Sequence, residues 1–150
     1  MTPQQKRHVQ TSWARLAPQG AEVAALFYAR LFEADPGLRA LFKGDLRAQG
    51  QKLMAALGFV VEGLDDLPAR LPAVQALARR HVAYGVQPAD YDRVGAALLA
   101  TLREGLAGHD ELESTLEAWG AAYATVAGAM KTAAWPAGAT ASEWAAQQPS

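Results

Sequence analysis

Apolar residues recur at three- and four-residue spacings through most of the chain, and no stretch sustains the two-residue alternation of a half-buried strand. The pattern predicts helices and loops only. Thr2, Pro3 and Gln5 announce a first helix as N-cap, first-turn proline and capping-box partner, with Val9, Trp13 and Leu16 on one face until Pro18 and Gly20 interrupt it. A second helix carries Val23, Leu26, Phe27, Leu31 and Phe32, and Asp35–Pro36 start a short helical turn ending at Leu41 and Phe42. From about Asp45 to Glu62 a third helix turns Leu46, Leu53, Leu57, Val60 and Val61 inward and stops at Gly63. Pro68 and Pro72 punctuate the next stretch, so the fourth helix is expected to begin after Pro72. It places Val74, Leu77, Ala78 and His81 on one face and closes at Gly85. Pro88, Ala89 and Asp90 open a fifth, with Val94, Leu98, Leu99 and Leu102, which Gly105 to Gly108 end. The last runs from about Asp110 to Ala134 with the stripe Leu112, Leu116, Trp119, Tyr123, Val126 and Met130.

Composition narrows what such a bundle can do. The 150 residues are 51% hydrophobic, enough for one core in one domain over 1–134, and the small, polar stretch 135–150 is expected to be a disordered tail on which only Trp144 offers an anchor. The formal net charge is −1 and the 14 basic residues are scattered, which argues against nucleic acid or an anionic membrane as partner. Without cysteine there is no disulfide framework, no iron–sulfur cluster and no thiolate-ligated metal. The start MTPQQKRHVQ lacks the apolar run of a leader or anchor, so a cytoplasmic protein is expected. No G-x-G-x-x-G, P-loop, G-x-S-x-G or H-E-x-x-H pattern occurs.

Candidate chemistry then rests on a few side chains. Of three histidines, His8 lies beside the first helix's apolar stripe and is expected to be solvated, while His109 belongs to the turn before the last helix. Only His81 sits on an apolar helical face with a glycine and a proline nearby. Spacing alone leaves two readings open for it, a core histidine whose ring nitrogens bond to carbonyls or a ligand. Likewise Tyr28 reads as a core tyrosine and Gln49 as a surface amide until they are taken together with Phe42.

Together they carry a resemblance. The segments LFYARLFEADPGLRALF, RAQGQKLMAALGFVVEGL, LPAVQALARRHVAYGVQPADYDRVGAALLATL and EAWGAAYATVAGAM, in that order, make the chain similar to the bacterial single-domain globins from about Trp13 to Met130. That family includes the Vitreoscilla-type haemoglobins and the haem domains of flavohaemoglobins. The resemblance implies an all-α globin fold around one b-type haem. It implies that His81, within RRHVAYGV, is the proximal iron ligand, that Phe42 stacks on the haem, and that Tyr28 and Gln49 flank the gas ligand with Leu53 one turn further on. Leu53 and Leu57 share the Gln49 face and would wall the pocket against water. Leu77, Val86, Val94 and Leu98 would line the proximal side, and Lys52 or Arg80 would reach a propionate, unless both simply face solvent. The second ring nitrogen of His81 would donate to a carbonyl of its own helix or to Tyr91. A tyrosine hydroxyl and an amide would favour dioxygen over carbon monoxide by about 1.5–3 kcal/mol per charge-assisted bond. Sixth-ligand capture is not expected, because Met54 lies one residue off the Gln49–Leu53 face.

The chain departs from the family in two places. Where flavohaemoglobins carry a glutamate late in the last helix, paired with the tyrosine matching Tyr91, this sequence has Ala134. The loop between Phe42 and Gln49 is also shorter than in the Vitreoscilla type. The resemblance implies reversible dioxygen binding as storage or delivery, by a monomer or homodimer. It also admits nitric oxide dioxygenation with electrons from a separate reductase, and a gas sensor acting through a partner. Dioxygen, nitric oxide and carbon monoxide are the expected ligands.

Overall fold

A computed structural model describes residues 1–42 and 44–135. Six α-helices and no strand occur among them: α1 (Pro3–Leu16), α2 (Gly20–Ala34), α3 (Leu46–Glu62), α4 (Leu67–Ala83), α5 (Asp90–Gly105) and α6 (Leu112–Ala134). Short 3₁₀ turns at Ala17–Gln19, Pro36–Leu41 and Leu64–Asp66 link three of them. The α1 cap is the reciprocal box expected from Thr2 and Gln5, each side chain meeting the other residue's backbone N–H at 3.1 and 2.9 Å. The Asp35 and Asp45 side chains accept from Gly37 and Arg47 amides, starting the Pro36–Leu41 turn and α3.

The fourth helix differs from expectation. It begins at Leu67 rather than after Pro72, and Pro72 lies inside it. A proline there forfeits the bond from its own position and crowds the carbonyl four residues back, in the second turn of the helix. Burial of Leu64 before the helix, and of Val74 and Ala78 along it, outweighs that loss.

Packing divides the molecule. α2 lies against α5 and α3, α1 against α6 and α3, and α4 against α6. The consecutive helices α3 and α4 thus take different main partners instead of each other. Two apolar groups follow. The larger joins Val9, Leu16, Phe27, Tyr28, Leu31, Leu98, Leu102 and Trp119. A smaller one joins Val74, Ala78, Tyr91, Ala127, Met130 and Ala134, with Leu77, Val86 and Trp135 against it. Trp119 Nε1 donates to buried Ser12 Oγ at 2.8 Å, fastening α6 to α1 in the larger core. Trp135 packs perpendicular to Tyr91, centroids 6.2 Å apart; the remainder of the expected tail, Trp144 included, lies outside the described residues. No helix among the described residues is long and apolar enough to cross a membrane.

Candidate functional site

On α4, His81 stands in the last turn of the helix and is half-buried. The chain turns off sharply behind it. Tyr84 and Val86 amides both donate to the His81 carbonyl at 3.1 Å, and Gly85 between them has φ +94°, a conformation that costs a residue with a Cβ. Of the two partners expected for the ring, the helix's own carbonyl takes it: Nδ1 lies 2.9 Å from the Leu77 oxygen. A carbonyl only accepts, so Nδ1 carries the proton and Nε2 keeps its lone pair, with no hydrogen-bond partner among the described residues. Burial pushes the imidazole below its ordinary range, the Leu77 bond opposes this, and nearby Arg80 adds to the lowering. The ring is therefore a neutral σ-donor at neutral pH, the form in which histidine ligates metals.

Behind α4 the smaller apolar group supports this residue. Tyr91 is 5% exposed and its hydroxyl is buried with no hydrogen-bond partner among the described residues. Its backbone is pinned, since Tyr123 Oη donates to the Tyr91 carbonyl at 2.6 Å. Burial raises both phenol pKa values, so both stay protonated. Tyr123 reaches across because α5 and α6 meet closely at Gly95, where a Cβ would lie 2.7 Å from the Tyr123 ring. Ala134 is fully buried, so nothing acidic enters the group at the position where the resemblance made a glutamate notable.

The other set lies where α2 crosses α3. Gly50 allows the crossing, for a Cβ there would sit 2.9 Å from Ala24 Cβ and 3.8 Å from the Tyr28 ring. Tyr28 is buried in an aromatic nest, with Phe27, Phe32 and Phe42 centroids at 5.3, 5.9 and 5.2 Å. Its hydroxyl makes no hydrogen bond among the described residues, and burial raises its pKa, keeping it a phenol donor. Gln49, next to the crossing glycine, is half-buried and its side-chain amide has no hydrogen-bond partner among the described residues. Leu53, Leu57 and Phe42 are half-buried against the larger core. Met54 packs on Gly20, at 3.5 Å from a Cβ built there, and so is directed to the α1–α2 junction.

The structure therefore gathers the candidate residues into two sets rather than one. Tyr28, Phe42, Leu53 and Leu57 line up with the larger core, together with Val94 and Leu98, which the sequence had assigned to the His81 side; Gln49 stands beside Gly50 on α3. Leu77, Val86 and Tyr91 belong with the smaller group. Lys52 and Arg80 are exposed and have no ion-pair partner among the described residues. His8 departs from expectation: its side chain is only 13% exposed, with Nδ1 3.6 Å from Glu111 Oε2, because α1 packs on the start of α6. Sequence reasoning missed Gly50 and Tyr123. A glycine beside Gln49 in an otherwise strong helix was the available signal for the first; for Tyr123, only its place on the α6 stripe.

What the two sets fit is a flat apolar group with a metal at its centre. Among the described residues no three histidine, aspartate or glutamate side chains converge to chelate an ion. One imidazole with a free Nε2 suits instead a metal whose equatorial ligands come from a macrocycle. Half-buried aliphatic and aromatic side chains on both sets offer faces for such a plane.

Comparisons with known proteins bear on the family and the fold. Residues 25–130 match the family model for Globin. The chain is 36% identical over 132 residues to flavohemoproteins of Bordetella parapertussis and Bordetella bronchiseptica, covering 85% of this chain but 32% of each of those proteins. It thus spans about a third of the length of these curated relatives. Among solved structures, an engineered carbene transferase, a candidate nitric oxide dioxygenase from Rhodothermus marinus, superposes with TM-score 0.78 at 30% identity, over 88% of this chain and 92% of that one. A bacterial globin from Campylobacter jejuni superposes with TM-score 0.74 at 25% identity, over 85% and 91%. With the family model covering most of its helices and an all-helical architecture shared with bacterial globins, the chain belongs to the globin family.

Proposed function

We propose that this chain holds one b-type haem through His81 Nε2 and binds dioxygen reversibly on the opposite face. When bound, the haem supplies a ferrous iron with one open coordination position. The observation that carries the reading is the His81 ring, half-buried, neutral, oriented by Leu77 and with Nε2 unengaged. Leu77 and Val86 would line the proximal side, and Phe42 would stack on the plane. Tyr28 and Gln49 hold two unengaged donors next to one helix crossing, where a ligand that gathers negative charge gains from both. Leu53 and Leu57 keep water from that face, while Lys52 and Arg80 stand at the rim as cations for the propionates. The protein acts in the cytoplasm as a monomer or homodimer.

Repeated oxygenation and deoxygenation of the haem-loaded protein tests this reading. Reversible spectral cycling over many rounds is expected, and prompt oxidation on first exposure to oxygen would overturn it. A second reading has specific support in the names of the relatives, flavohemoproteins and a candidate nitric oxide dioxygenase. Here the same donors serve nitric oxide removal, with electrons from a separate flavin reductase. Sustained nitric oxide consumption with a flavin reductase and NADH would favour it; a single stoichiometric turnover would not.

A further inference from the structure

Arg93, in the first turn of α5, meets two carboxylates at once: Nε lies 3.1 Å from Asp35 Oδ2 and Nη1 3.1 Å from Asp90 Oδ1. Each carboxylate also closes a turn with its other oxygen. Asp35 Oδ1 accepts from the Gly37 amide at 3.1 Å and starts the Pro36–Leu41 turn, which delivers Phe42. Asp90 Oδ2 accepts from the Gln87 amide at 2.9 Å while the Asp90 amide donates to the Gln87 carbonyl at 3.0 Å, a ring that closes the link between α4 and α5. Gln87 directly follows Val86, whose amide is tied to the His81 carbonyl. One guanidinium thus bridges two capped turns, the one that leads to Phe42 and the one that leaves His81. Arg30 also pairs with two carboxylates, Glu33 and Glu104, but neither of those accepts from a backbone amide among the described residues.

The two turns also touch, since a Cβ at Gly85 would lie 3.4 Å from Leu41 Cδ2. Such contact limits how near they come; it does not fix their register. A planar guanidinium bonded in two directions does, and the Asp90 side chain, 11% exposed, shields half of the bridge from solvent. Half-exposed ion pairs contribute little to folding stability. What this one supplies is relative position.

We propose that Arg93 is a positioning residue of the pocket, holding the turn that carries Phe42 in register with the turn that leaves His81. The inference rests on the haem reading above, in which both residues contact the same haem. A change of register alters how the imidazole is presented to the iron, and with it ligand release.

The test compares haem-loaded wild type with Arg93→Gln, Arg93→Lys and Asp35→Asn. Asparagine keeps an oxygen for the Gly37 amide but loses the charge toward Arg93, and lysine keeps a charge but not the fork. Three quantities are read: the iron–imidazole stretching band of the ferrous form, the oxygen dissociation rate, and the Gly37 and Gln87 amide resonances of the carbon monoxide form. Each variant should displace the band and change oxygen dissociation by about two- to thirtyfold, the range carried by networks that link two sites. Asp35→Asn should shift the Gln87 amide across the bridge as well as Gly37 in its own turn, with the unfolding midpoint close to wild type. Arg103→Gln, which breaks the pair to Glu113 at the other end of α5, should leave band and rate unchanged. An unshifted band in both Arg93→Gln and Asp35→Asn, or a Gln87 amide unmoved by Asp35→Asn, would overturn the proposal and leave the haem reading standing. A wild type without an iron–imidazole band would overturn both.

Discussion

The two sides of the proposed haem pocket are built differently. On the α2–α3 side a tyrosine is locked in an aromatic nest of three phenylalanines, and Gly50 lets two helices cross at closest approach within the larger core. On the α4 side the histidine is half-buried at a helix end, one hydrogen bond orients it, and the apolar group behind it is small. A gas-binding pocket needs donors held in fixed places, and close packing supplies that without help. The metal ligand can be held lightly, because the bond it forms completes its own surroundings. A rigid α2–α3 side in all states, and an α4 side whose order depends on the haem, are therefore expected.

Removing the haem should widen the contrast most. Ligand bound a thousandfold above its dissociation constant contributes about 4 kcal/mol, so amide exchange in α4 should accelerate by up to about a thousandfold in apoprotein, with α2 and α3 less affected. Equal acceleration in all helices would dissolve the contrast. Next in size, Tyr28→Phe removes one charge-assisted donor, worth about 1.5–3 kcal/mol, and should speed oxygen dissociation roughly ten- to hundredfold while stability and the His81 side stay unchanged. Gly50→Ala places a methyl 2.9 Å from Ala24 Cβ and should cost about 1–3 kcal/mol by overpacking, measurable by denaturant unfolding and accompanied by altered oxygen kinetics as α3 shifts. Gly85→Ala strains the φ +94° turn behind His81 and should cost about 1 kcal/mol, seen as faster exchange confined to the end of α4.

The smallest effect lies outside the pocket, at the α2–α5 contact, where Arg30 Nε bonds Glu104 Oε2 at 2.6 Å. Arg30 holds the Glu104 carboxyl below its ordinary range. A carboxyl depressed on folding stabilises above its unfolded pKa, and the contribution disappears as pH falls through the folded value. Glu104→Gln should therefore lower the melting temperature slightly at neutral pH and not at all in acid, and salt should shrink the difference.

Much of this architecture was legible in the sequence. The Thr2–Gln5 box, the glycine stop at Gly63 and the His81 face follow from local rules, because each depends on residues within a turn or two. The start of α4 was not legible, since Pro72 argues locally for a boundary and only burial of Leu64, Val74 and Ala78 overrules it. Residues of the site were legible mainly through resemblance. Periodicity puts His81 inward but cannot say which carbonyl orients its ring. The role of Gly50, the Tyr123 hydrogen bond to Tyr91 and the covered position of His8 depend on helices far apart in sequence, so no local pattern announces them.

Whether His81 ligates the iron is read directly from the absorption spectrum. Wild type and His81→Ala would be loaded with haem and compared as isolated, after dithionite, and after oxygen or carbon monoxide. A Soret band, a five-coordinate ferrous form and a stable oxygen adduct are expected in the wild type, all lost or strongly altered by the substitution. A wild type that takes up no haem, or a His81→Ala protein with an unchanged ferrous spectrum, would contradict it.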